Sequence, residues 1–172
     1  MPDSTFLAER SLYIENTLRH AFVYDLCRHL LLLDPPRMVT VLNAEVDDSG
    51  VDLILTVGGV TRPVQMKTVS RSDKPTPYNI SERLFALRGG CVIWTLYDPV
   101  TMVINGYHFF GNGPLEPMGN PEVFKQSTKG SKDRKKDRPG YRKVRIGHAQ
   151  GRNLTISALA EILFGDELRS GE

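Results

Sequence analysis

Asp52, Gln65 and Lys67 flank a Gly58-Gly59 pair at separations that a tight hairpin would bring together. Pairing about a two-residue turn at Gly58-Gly59 puts Asp52 opposite Gln65, with Cβ atoms ~4.5–5.5 Å apart on one sheet face. Lys67 lies one step further along that face, while Val51, Leu53, Leu55, Val64 and Met66 fall on the other. A carboxylate, a carboxamide and an ammonium group at one hairpin end suit phosphodiester chemistry. A hard cation, Mg2+ or Mn2+, would take a charged oxygen from Asp52, a neutral one from Gln65 and a third from the Met66 backbone carbonyl. Such an ion polarises a phosphoryl oxygen and acidifies a bound water. Lys67 would stabilise the developing negative charge or orient that water. Glu15, upstream, would complete the metal shell or hold the water; Glu9 and Asp25 compete with it for this place. The alternative use is structural: Asp52 bonds to a loop, and Lys67 is its surface ion-pair partner, worth ~0–1 kcal/mol.

The elements that must position these groups can be read from periodicity. Ile14, Leu18, Phe22, Leu26, Leu30 and Leu33 step by three or four, which predicts one helix over the first 34 residues. Asp3 or Ser4 would cap it and Pro35-Pro36 would end it. Ser11 and Glu15 sit one turn apart at the edge of the apolar stripe. Strands are predicted at Met38 to Val46, Val51 to Val57 and Val60 to Val69, with Pro63 near the start of the third. Ser70 to Asn79 reads as a loop, and Ser81 to Leu87 as a short helix before Gly89-Gly90. Cys91 to Tyr97 reads as a buried strand, with Trp94 in the core. Asp98-Pro99 turns the chain into a strand at Met102 to Phe110. Gly111 to Gly140 reads as loop, Tyr141 to Ile146 as a late strand, and Thr155 to Phe164 as a helix stopped by Gly165. The result is a mixed α/β (α+β) sheet in a single domain over residues 1–172.

Charge is unevenly spread. Lys125, Lys129, Lys132, Arg134, Lys135, Lys136, Arg138, Arg142, Lys143 and Arg145 face only Asp133 and Asp137 within their stretch, whereas the whole chain carries only +2. Such a segment is a candidate phosphate contact. Its stretch from Ser127 to Gly140 has almost no apolar residues and is expected to stay mobile until it meets nucleic acid. Cys27 and Cys91 are too few for a disulfide framework or a cysteine-only zinc site. His20 and His29 fall on opposite faces of the helix, and His108 and His148 have no triad partner at a telling spacing. There is no G-x-S-x-G elbow or Walker lysine, and Gly111-Asn112-Gly113 lacks the rest of a dinucleotide fingerprint. Leu30 to Leu33, the longest apolar run, is too short to cross a bilayer, and the amino terminus lacks the order of a secretory signal. A cytoplasmic location is therefore expected.

Glu15, Val51-Asp52-Leu53 and Val64-Gln65-Met66-Lys67, on a helix–meander–helix–strand order, resemble the PD-(D/E)XK nuclease superfamily over about residues 5 to 97. Gln65 replaces the usual acid of the third motif, as in the Mrr-like restriction branch. Val51 stands where many members have proline. The resemblance implies a restriction-endonuclease-like core, extended by further strands and a helix over residues 98–172. It also implies a Mg2+- or Mn2+-dependent deoxyribonuclease of the restriction or repair type. Asp52, Gln65 and Lys67 would be at its catalytic positions and Glu15 at the helical one. A neutral Gln65 offers the metal one less negative charge. The expected partner is duplex DNA, bound through the basic segment, with a homodimer as a further expectation. The rival from another class is a catalytically inactive nucleic-acid-binding module on the same scaffold, a subunit of a larger complex. A third reading, a protein-interaction domain docking an acidic partner, predicts negligible DNA affinity even at low salt.

Overall fold

The computed structural model describes residues 10–44, 50–70, 76–129 and 136–169. Helix α1 (Ser11–Leu31) buries Ile14, Leu18, Phe22, Leu26 and Leu30, the stripe that its period predicts. Asp3 and Ser4 lie outside the described residues, and the turn before the helix centres on Arg10. The helix ends at Leu31, three residues earlier than expected, with the Leu32 N–H still donating to the Arg28 carbonyl (3.2 Å). Leu33 leaves the helix but still packs on the core.

A six-stranded sheet forms the middle layer, in the order β1 (Thr40–Asn43), β2 (Leu53–Val57), β3 (Val60–Ser70), β5 (Cys91–Tyr97), β6 (Ile104–Gly111) and β9 (Gly151–Leu154). The first three strands form an antiparallel meander, and β5 runs parallel to β3. A parallel neighbour needs a crossover, which here consists of β4 (Tyr78–Ser81) and the short helix α2 (Glu82–Ala86). The chain is thus α+β with a mixed sheet. Strand β4 corrects the expected loop at Tyr78 and Asn79.

The turn at Gly58-Gly59 sets the register as expected, with Leu53 opposite Val64 and Val57 opposite Val60. Gly58 has φ +53, in the left-handed region that favours glycine, and a Cβ there would collide with the Glu167 carboxylate of the last helix. That helix, α3 (Ile156–Arg169), runs straight through Gly165. Gly165 was expected to stop it, but one helical glycine costs only ~1 kcal/mol against alanine. Leu159, Leu163 and Phe164 buried beside α1 more than offset this.

Two large cores sandwich the sheet, beside a smaller cluster of Ile14, Leu18 and Tyr97. On the α1 and α3 side, Phe22, Leu26, Leu53, Leu55, Val64, Ile93 and Phe109 pack together. On the other side Val92, Trp94 and Phe110 meet Ile80, Leu84, Phe85 and Val144. Trp94 is fully buried, as its apolar strand predicts. That second side carries a small sheet in the order β4, β8 (Lys136–Val144), β7 (Gln126–Lys129). These strands correct the end of the loop expected from Gly111 to Gly140, at Gln126–Lys129 and from Lys136 on, and Tyr141 belongs to a longer strand than foreseen. Cross-strand pairing to β4, with Val144 buried at the shared end, orders a stretch whose own sequence is polar. Among the described residues no helix is long and apolar enough to cross a membrane.

Candidate active site

The site lies where β2 stops short of β3. Asp52 precedes the first regular residue of β2, yet its N–H still donates to the Val64 carbonyl (2.8 Å). From Met66 to Ser70, β3 pairs with β5 alone among the described strands. The ladder toward β2 is closed by a side chain instead: the Met66 N–H donates to Asp52 Oδ2 (2.6 Å). A residue's N–H and C=O point to the same strand edge, so the Met66 carbonyl faces this gap as well. A cavity of about 120 Å3 opens here, lined by Glu15, Asn16, Arg19, Asp52, Met66 and Lys67 among others. Helix α1 supplies Glu15, Asn16 and Arg19 from the turn beside buried Ile14 and Leu18. Arg19 is held by its own helix through the Asn16 carboxamide oxygen (2.9 Å).

Gln65 does not line this cavity. Its Oε1 accepts the Ser81 backbone N–H (3.2 Å), and the side chain is 4% exposed in a second cavity of about 290 Å3 with Pro77, Tyr78, Asn79, Arg138 and Tyr141. The expectation that Gln65 would join Asp52 at one ion is corrected by β4, which arrives over that sheet face and takes the carboxamide. Val51 is corrected too. It packs with Ile80 and Trp94, on the face opposite Leu53, because the chain leaves regular pairing at Asp52. Leu53, Leu55, Val64 and Met66 keep the predicted face. Lys67 lines both cavities and is the group they share. Asp25, a competitor for the role of Glu15, instead accepts a hydrogen bond from the Tyr107 hydroxyl (3.4 Å). Burial and then the Asp25 charge raise the Tyr107 pKa. Glu9 lies outside the described residues.

The donor set can be tested against a hard divalent cation. Asp52 and Glu15 are carboxylates, and a carboxylate oxygen that accepts one N–H keeps a second lone pair. Magnesium is commonly held by one or two carboxylates together with water and substrate phosphates. Glu15, Asp52 and the Met66 carbonyl fit that pattern; Gln65 does not. Among the described residues no group of three or more His, Cys, Asp or Glu side chains surrounds a common point.

The basic segment divides into three parts. Lys132, Arg134 and Lys135 lie outside the described residues, and only the backbone of Lys129 and Lys136 is described. Arg142 is corrected as a nucleic-acid contact. It pairs with Glu82 (2.7 Å) and donates to the Phe124 carbonyl, with its side chain 15% exposed. Lys125, Lys143 and Arg145 line a third cavity of about 320 Å3 with Phe124 and His148. Pro77 belongs to both this cavity and the one holding Arg138, which in turn shares Lys67 with the Asp52 cavity. One cationic path therefore leads from β7 and β8 to Asp52. Sequence reasoning missed Arg19, whose helical position four residues beyond Glu15 was the available signal.

Two further titratable groups are engaged within the fold. Cys91 is fully buried and its thiol is pushed up to about 11 by desolvation, against the opposing influence of Arg62. Burial, and then the nearby Arg152 charge, lower the His108 pKa from its ordinary value. Its Nδ1 accepts the Asn153 N–H (3.0 Å) where the pairing of β6 with β9 skips a step. Comparison with protein-family models and with curated proteins found no match.

Proposed function

We propose that this chain is a divalent-metal-dependent deoxyribonuclease on a restriction-endonuclease-like core, acting on phosphodiester bonds of DNA. The observation that carries the reading is the cavity at the open edge of β3, where Glu15, Asp52 and Lys67 meet. The helix–meander–crossover–parallel-strand order supports it. So does the cationic path that reaches the same lysine. Asp52, Glu15 and the Met66 carbonyl would hold the Mg2+ or Mn2+ ion, which supplies Lewis-acid polarisation and a more acidic water. Lys67 balances charge on the scissile phosphate. Arg19 lowers the cost of bringing that phosphate against two carboxylates. Glu15, exposed on α1, would complete the shell of that ion and so fix the position of the bound water.

The test is cleavage of labelled duplex, single-stranded and branched DNA with Mg2+ or Mn2+. Lys67→Ala is expected to lower the rate at least ~100-fold, in keeping with the loss of one electrostatic group at a transition state, with an unchanged melting profile. Undiminished cleavage by a clean Lys67→Ala preparation sinks the proposal. One observation favours a second reading: the carboxamide of Gln65 is committed to Ser81. On that reading the chain is a DNA-binding subunit of a larger complex. It would bind DNA in a salt-dependent way and leave it intact with every divalent ion.

A further inference from the structure

The cavity beside Lys67 that holds Gln65 has a chemistry the cleavage reading does not use. Its walls combine Tyr78, Asn79, Arg138 and Tyr141 with the Gln65 carboxamide. In a regular strand Arg138 and Tyr141, three residues apart, would point to opposite faces. Strand β8 bulges between them. Ser127 pairs with Arg138 while Gln126 pairs with Arg142, so β7 has no partners for the three residues between. Gly140, with φ +78, provides the left-handed step in this bulge, and Gln126 Nε2 pins it by donating to the Arg138 carbonyl (3.1 Å). The result is a stacked pair, with the Arg138 guanidinium carbon 3.9 Å from the centre of the Tyr141 ring. Bulges commonly re-aim side chains in this way beside functional sites.

The polar groups here are equally selective. Gln65 Oε1 is taken by the Ser81 N–H, and Asn79 Oδ1 accepts the Ser127 hydroxyl (2.6 Å). Each carboxamide still offers its NH2 donor, beside the second lone pair of its oxygen. A flat cationic–aromatic platform, amide donors for ring acceptors, and a volume of about 290 Å3 describe a receptor for one nucleobase with its sugar. A paired base cannot enter, because its ring faces are stacked and its acceptor edge is occupied.

We propose that this cavity takes a single unpaired nucleobase of a DNA strand, the nucleotide next to the phosphate that Lys67 contacts. The substrate class is then single-stranded or locally unpaired DNA rather than uninterrupted duplex. The position of that nucleotide relative to a cut rests on the nuclease reading, whereas the binding itself does not. The full-length protein is titrated, in EDTA so that nothing is cut, against a short fluorescent single-stranded oligodeoxynucleotide and against its duplex. The single strand is expected to bind more tightly. Tyr141→Ala should weaken it about tenfold, in line with the loss of one stacked base, while duplex binding changes less than about twofold. Tyr141→Phe should keep the preference, since the ring and not the hydroxyl does the stacking. If Tyr141→Ala melts the small sheet, Tyr141→Leu, which keeps apolar bulk there but removes the aromatic ring and no charge, carries the same expectation. Equal loss on both DNA forms, or no loss on either, overturns the proposal. A strand preference that survives in a protein unable to cleave refutes the nuclease reading alone. Cleavage with indifferent strand binding refutes this pocket alone.

Discussion

Asp52 has two uses in one place, and substitutions can separate them. Its Oδ2 accepts the Met66 N–H where the sheet ladder runs out, and the same carboxylate faces the cavity with Glu15. Asn at this position keeps an acceptor of the same shape but loses the charge. Asp52→Asn is therefore expected to fold with a loss of less than about 1 kcal/mol and to abolish metal-dependent cleavage. Asp52→Ala should lose cleavage and also about 1–3 kcal/mol, the cost of an unsatisfied N–H. Paired urea titrations and nicking assays check both; equal stability of the two variants would remove the structural half of the argument. At this scale the sequence was legible where chemistry is local. The Gly58-Gly59 turn sets the register that puts Asp52 beside the strand carrying Lys67, and the stripe through Ile14 and Leu18 turns Glu15 toward it. The fate of Gln65 was not legible. It is decided by the Ser81 backbone, which reaches Gln65 only because a strand that the local pattern hides crosses that face.

Elements recruited by tertiary pairing are the ones that patterning missed. Strands β7 and β8 are rich in Ser, Lys and Arg without a two-residue period, and β4, which alternates as Tyr78-Asn79-Ile80-Ser81, is too short for its pattern to stand out. Their order comes from the ladder they share and from the Arg142–Glu82 ion pair that ties β8 to α2. Truncating one partner of such a pair leaves a desolvated charge, which is why a basic residue there reads as structure rather than as a ligand contact. The skipped step between β6 and β9 gives a pH prediction. Buried His108 has a pKa below its ordinary 6.5. Between the folded and unfolded values the unfolded chain binds more protons, so stability is full above about pH 6.5 and falls as pH drops through the lower value. His108→Asn keeps an acceptor for the Asn153 N–H but cannot titrate. Its urea midpoint should therefore decline less than the wild type's between neutral pH and mild acid. Parallel declines would show that the acid limb has another source.

Over the whole molecule, two cores hold a sheet whose one open end receives helix α1 from one side and the small basic sheet from the other. That convergence makes Lys67 common to a carboxylate cavity and an aromatic one, and joins both to Lys125 and Arg145. Each exposed cation that meets a phosphate releases a counterion. Lys125→Ala and Arg145→Ala should each lower the slope of log affinity against log salt by about 0.7–0.9, and weaken single-stranded and duplex DNA alike. Fluorescence anisotropy over a salt series reads this, and unchanged slopes would take these residues off the DNA path. The contact between the Gly58 turn and Glu167 bears on how the protein is made. The reversal that aligns Asp52 with Lys67 is set by residues adjacent in the chain, and a helix made far later lays its Glu167 carboxylate against that turn.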